Sequence, residues 1–196
     1  MKLKTHRYIA ETAIILIEEI TGQKFNHRLV KMGACMPDIA LNRRIKLHTP
    51  ELAGIQYSKM LRKFESGNRS HSFLSYMLGS YSHYVADSFC YAHNYYVSDL
   101  KKHVQYELLL QNNMYEITLE IDIIDNVLEK LDCLQDYTAF EFIQNENKEY
   151  KRIIEDLTNW EEKIDMDLKL AIINSVVLML QFIQEAQAQP VLAPAI

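Results

Sequence analysis

Residues 70–94 read SHSFLSYMLGSYSHYVADSFCYAHN, and the spacing inside this stretch decides the fold. Phe73, Leu74, Met77, Leu78, Tyr81, Tyr84 and Val85 recur at the three- and four-residue steps of a helix face. The same run carries His83 and Asp87, four positions apart. On a helix such residues differ by only about 40° of rotation and lie about one turn apart, so both side chains can reach one ion. His93 follows, and then a second pair at the same spacing, His103 and Glu107. Each is an imidazole or carboxylate of the kind zinc accepts. Two such pairs with a further His between them, all within residues 83–107, point to a polynuclear zinc site and a hydrolase.

Working outward, apolar residues keep helical spacing almost everywhere, and no stretch alternates as a strand bounded by a hairpin turn. The expected fold is an all-α, single-domain multi-helix bundle over residues 1–188, with a C-terminal tail at 189–196 that contains Pro190 and Pro194. A first helix is expected from Thr5, as N-cap, to Ile20, stopped by Thr21 and Gly22. A second starts after Asn26 and breaks at Met36-Pro37-Asp38, leaving Ile39 to Thr49 as an ordered loop. Thr49 then caps a helix whose first residue is Pro50 and which ends near Ser66-Gly67-Asn68. The central helix runs from Ser70, and Ser98-Asp99 caps the one that holds His103 and Glu107. Helices over Met114 to Leu134, Thr138 to Leu157 and Thr158 to Ala188 complete the bundle.

Composition narrows the function. The 196 residues fit one substantial core, and five Gly and four Pro are few enough to permit long helices. A formal charge of -5 supplies no clustered cations for a polyanionic backbone, so duplex nucleic acid is an unexpected partner. A short phosphate-bearing ligand stays compatible, because bound zinc would offset the negative charge locally. Cys35, Cys90 and Cys133 form no C-x-x-C pair, which suits a reducing compartment. Glu11, Glu18 and Glu19 interrupt the opening apolar segment, which reads as a mature helix, and the expected address is cytoplasmic. No window reaches about 18 uninterrupted apolar residues, so no transmembrane segment is expected.

Three residues upstream extend the donor set: His6 in Thr-His-Arg-Tyr-Ile-Ala, Asp38 in Met-Pro-Asp and His48 in Leu-His-Thr-Pro. In this order, and with the H-x3-D-x5-H spacing of residues 83–93, the chain resembles the zinc-dependent phospholipase C family, which shares its helical fold and three-zinc site with certain single-strand nucleases. The likeness covers about half the chain in motif order, from His6 to Glu107. It implies one zinc on Asp38, His48, His83 and Asp87 and a second on His93, His103 and Glu107. A third would take His6 and share Asp87 as a bridge, giving two or three Zn2+ ions in all.

The chain departs from the family in two places. Secreted members complete the third site with the main-chain atoms of a processed amino-terminal tryptophan, whereas this chain begins with Met1 and carries no recognisable signal peptide; Met1 could supply those atoms if its amino group is free. The family usually has proline in the turn after the central Asp, where this chain has Ser88-Phe89-Cys90-Tyr91-Ala92. His93 would lie roughly 120° around an unbroken helix from Asp87. The chain must therefore bend after Asp87 if both residues serve one cluster. His27 and His71 match no ligand position, and one or two tyrosine hydroxyls are expected near the cluster.

The implied activity is hydrolysis of a phosphodiester by a phospholipase C-like enzyme acting on a small phosphate ester or phospholipid, with transient membrane contact. Zinc ions about 3.5 to 4 Å apart can share a hydroxide of pKa near 7 and neutralise the phosphate oxygens. Asp38 either completes a zinc shell or accepts the proton of the attacking water. Two rivals stand beside this reading: a single-strand nuclease, which needs stacking aromatics by the metals, and a non-catalytic zinc-binding protein with an incomplete third site.

Overall fold

The computed structural model describes residues 1–39, 48–67, 69–116 and 123–188. Among these the chain forms nine α-helices and no strand: α1 Leu3–Thr21, α2 His27–Ile39, α3 Pro50–Ser66, α4 His71–Ser88, α5 Tyr91–Tyr95, α6 Leu100–Asn113, α7 Ile123–Leu134, α8 Ala139–Asp156 and α9 Trp160–Ala188. The expected all-α bundle is the observed one. The loop proposed for Ile39 to Thr49 falls mostly on residues 40–47, and the tail on 189–196; both stretches lie outside the described residues.

Local chemistry accounts for most boundaries. Thr49, Ser70, Asp99 and Thr138 each accept a backbone N–H at a helix start, and Thr138 forms a reciprocal capping box with Glu141. Gly22 ends α1 at φ 70°, a left-handed conformation that suits glycine. Three expectations need correction. Thr5 caps nothing: α1 begins at Leu3 after an extended Lys2, and Thr5 is fully buried inside the helix. Pro37 does not break α2, which continues to Ile39; so near the end, the missing N–H costs one bond of a fraying turn. Met114 belongs to the close of α6 and not to a new helix, because it is buried and Glu116 N–H bonds back to the Asn113 carbonyl.

The central helix is α4, buried without interruption from Met77 to Ser88 and packed against α1, α2, α3 and α9. Its crossing with α2 is backbone on backbone. A Cβ on Gly79 would fall 2.0 Å from the Val30 carbonyl oxygen, and one on Gly33 would fall 2.1 Å from that of Tyr76. The long helix α9 lies along α1, α4 and α7. By length and composition it could cross a membrane, but 72% of its apolar window is buried inside the fold, where the apolar run serves as core.

On the buried face of α9, Asp167 is fully buried and joins four helices. Its carboxylate accepts from Tyr91 N at 2.8 Å, from the Tyr106 hydroxyl at 2.8 Å and from the Tyr150 hydroxyl at 2.7 Å. Burial lifts its pKa from the ordinary 3.8 to about 7, although these three donors pull it down.

Two outcomes follow from this packing. Gly79→Ala should destabilise the fold by about 1–3 kcal/mol, since backbone must move to admit the methyl group; a thermal unfolding midpoint equal to the parent's would contradict the close crossing. Between its ordinary value and about 7, native Asp167 keeps a proton that the unfolded chain releases. Its stabilisation is thus complete below the ordinary value and is lost as pH rises through about 7. Denaturant unfolding at several pH values should show Asp167→Asn gaining a few kcal/mol on the parent across that window, and parallel profiles would refute it.

Candidate metal centre

The site is built around the C-terminal end of α4. His83 and Asp87 lie on the same face of that helix, one turn apart, as their spacing requires. His83 Nδ1 donates to the Ala34 carbonyl at 2.9 Å, a partner delivered by the close crossing of α2 and α4. The bond sets the tautomer and turns Nε2 towards the site. His48 Nδ1 lies 2.9 Å from that Nε2 and 2.7 Å from Asp87 Oδ2, and Asp38 Oδ1 lies 3.5 Å from His83 Nε2. From α1, the His6 ring stacks on His83 at 3.7 Å between centroids and brings its Nε2 to 3.4 Å from Asp87 Oδ1.

The chain does bend after Asp87, and it does so without proline. Helix α4 ends at Ser88, Phe89 caps it, Cys90 is extended, and α5 starts at Tyr91. Side-chain amides hold the turn: Asn94 Nδ2 donates to the Ser88 and Cys90 carbonyls, and Asn147 Nδ2 also donates to Ser88. The bend brings His93 Nε2 to 3.2 Å from Asp87 Oδ1 and 3.2 Å from Glu107 Oε1. His103 Nε2, on α6, is 3.1 Å from the same Glu107 oxygen.

All eight sequence-predicted donors therefore meet around Asp87. They form three groups, of which the first two share His83: His6, His83 and Asp87; Asp38, His48 and His83; and His93, His103 and Glu107. His27 and His71 stay away, the former beside Glu11 and Glu18, the latter stacked on Phe25. The main-chain nitrogen of Met1 joins the cluster, 2.7 Å from Asp87 Oδ1, 2.7 Å from His93 Nε2 and 2.8 Å from Glu107 Oε1. Lys2 adds a cation 3.3 Å from Glu107 Oε2, a neighbour that residue spacing does not reveal.

Electrostatics and hydrogen bonding both suit a cation. Burial alone would raise the pKa of Asp87, but His93, the Met1 nitrogen, His6 and His83 hold it well below the ordinary carboxylate range. Burial likewise opposes ionisation of Glu107, and hydrogen bonds from His103 and His93 overcome it. Burial, reinforced by His83, keeps His6 neutral, with lone-pair nitrogen available. Both ring nitrogens of His6 and Nε2 of His48 are buried with no hydrogen-bond partner among the described residues. Buried polar atoms are rarely left in that state, and imidazole and carboxylate donors fit zinc.

The cluster floors an open cavity of about 670 Å³ lined by Met1, Lys2, Asp38, His48, His93, His103 and Glu107, with Leu3, Ile39, Val97 and Leu100 among its apolar walls. No tyrosine is among the described residues that line the cavity. Tyr84 packs its ring edge against His48 and His83, and the hydroxyls of Tyr106 and Tyr150 go to Asp167.

No curated protein and no solved structure gives a significant match to this chain. The sequence model of the family described as zinc dependent phospholipase C, however, matches residues 5–169, a span that holds all eight donor side chains. Matched over most of its length, and with its candidate donors gathered around Asp87, this chain belongs to the zinc-dependent phospholipase C family.

Proposed function

We propose that the chain is a phospholipase C-like hydrolase that cleaves the phosphodiester of an amphiphilic substrate, with zinc held by His6, Asp38, His48, His83, Asp87, His93, His103 and Glu107. The observation that carries this reading is a cavity with a floor of metal donors and a wall of aliphatic side chains. Leu100, Ile39, Val97 and Leu3 are 74%, 55%, 48% and 37% exposed around that floor, a placement suited to acyl chains beside a phosphate. A single-strand nuclease needs aromatic faces on which bases stack, and the described lining residues include no Phe, Tyr or Trp. The same rim would let the protein rest briefly on a lipid surface.

Bound zinc supplies neutralisation of the phosphate oxygens and a water acidified to a pKa near 7. The side chains divide the remaining work. Asp87, in contact with donors of all three groups, fixes the spacing of the metals. Asp38 is the donor side chain with most access to the cavity, 33% exposed, and serves as ligand or as acceptor of the water's proton. The Met1 nitrogen, where its amino group is free, completes the third site in place of the family's processed amino-terminal residue.

Elemental analysis of the purified chain, paired with a panel of chromogenic phosphodiesters, phosphatidylcholine vesicles and single-stranded oligonucleotides, tests the proposal. Two or three zinc ions per chain and release of diacylglycerol from vesicles are expected. Oligonucleotide cleavage with untouched vesicles would favour the nuclease, and bound zinc without turnover on any member would favour a non-catalytic role. Asp87→Asn should remove metal from more than one site and lower turnover by about 100-fold or more; full zinc content with full activity would end the bridging assignment.

A further inference from the structure

We propose that Asp167, remote from the cavity, is a positioning residue for the donor group His93, His103 and Glu107. The inference rests on the reading that this group holds zinc. Its starting point is the first N–H of α5, which the amide donors that hold the preceding turn cannot accept. Helix α5, which carries His93, is five residues long, and its N-cap residue Cys90 gives no side-chain hydrogen bond. So short a helix has no stability of its own, and its first N–H needs an acceptor from elsewhere. Asp167 Oδ2 provides one, 2.8 Å from Tyr91 N. His93 is two residues further on, so this bond sets the phase at which the imidazole leaves the helix.

The same oxygen controls the second element. Tyr106 immediately precedes Glu107 on α6, and its hydroxyl donates to Asp167 Oδ2 at 2.8 Å. Pinning Tyr106 to the core fixes the face of α6 that presents Glu107, about 100° around the helix. Oδ2 thus holds Tyr91 by its backbone N–H and Tyr106 by its hydroxyl, two residues before His93 and one before Glu107. Oδ1 accepts from Tyr150 of α8 at 2.7 Å; α8 carries none of the donors and supports their turn separately, through Asn147 on Ser88 and Asn94, bonds that do not involve Asp167. The carboxylate therefore has one oxygen facing the donor group and one facing the scaffold. This division distinguishes positioning from general core stability.

Two substitutions of equal size, Tyr106→Phe and Tyr150→Phe, each delete one hydroxyl bond to Asp167, one on either oxygen. Zinc remaining per chain is measured after dialysis against graded chelator, with thermal unfolding followed in parallel. Tyr106→Phe should shed one zinc at about tenfold less chelator than the parent, in keeping with the usual cost of losing support behind a metal ligand. Tyr150→Phe should lose comparable thermal stability and keep all its zinc. Asp167→Asn, which retains an oxygen able to accept from Tyr91 and Tyr106, should hold zinc as the parent does. Equal zinc loss from the two tyrosine variants, or none from Tyr106→Phe, would overturn the assignment while leaving the zinc reading intact. A parent chain that binds no zinc would overturn both.

Discussion

A carboxylate in the middle of a helical bundle has to be compensated, and Asp87 imposes that constraint on everything around it. With 1% of its side chain exposed, it cannot remain ionised by hydration. An isolated buried charge would cost many kcal/mol or shift its pKa until it was neutral. Here four imidazoles and the Met1 nitrogen surround its two oxygens. The helices supplying them are held to positions that keep these groups within hydrogen-bond or ion-pair range. A cation held among the same groups would compensate the carboxylate and give His6 Nε2 the partner that no side chain supplies.

Two features of the scaffold make this convergence possible. The first is the crossing of α2 and α4 at Gly33 and Gly79, where neither helix has room for a methyl group. That proximity puts the Ala34 carbonyl on His83 and brings Asp38, at the end of α2, towards the same imidazole. The second is the turn from Ser88 to Cys90, which redirects the chain so that α5 and α6 cover the end of α4. Amide side chains hold that turn, so the change of direction rests on hydrogen bonds and not on the fixed φ of a proline. Packing sets the position of the site, and polar bonds behind it set its orientation.

Much of the candidate site could be read directly. The four-residue spacing of His83 with Asp87 and of His103 with Glu107 places each pair on one helix face, and the capping residues Thr49, Ser70, Asp99 and Thr138 mark where four helices begin. Where reading failed, tertiary packing overrode a local signal. Thr5 has the chemistry of a cap but is buried among core residues. Pro37 has the chemistry of a breaker but falls where only two helical residues follow it. Tyr106 and Tyr150, which no local signal singles out, turn their hydroxyls to a buried carboxylate on α9.

Asp167 shows the limit most clearly. Its neighbours Ile164, Leu168 and Ala171 mark the buried face of α9, so its burial is legible from periodicity, but nothing local says which donors it meets. Sequence alone determined the helical class and the pairing of His83 with Asp87 and of His103 with Glu107 within a turn, because these depend on residue chemistry and on a fixed rise and rotation per residue; His6, Asp38 and His48 were legible as candidate donors only through the family resemblance. Only the tertiary structure decided that α1, α2, α4, α5 and α6 bring those donors to one carboxylate and that aliphatic side chains wall the cavity above it. Those relations join residues as far apart in the chain as Met1 and Glu107, and a helical repeat carries no information over such distances.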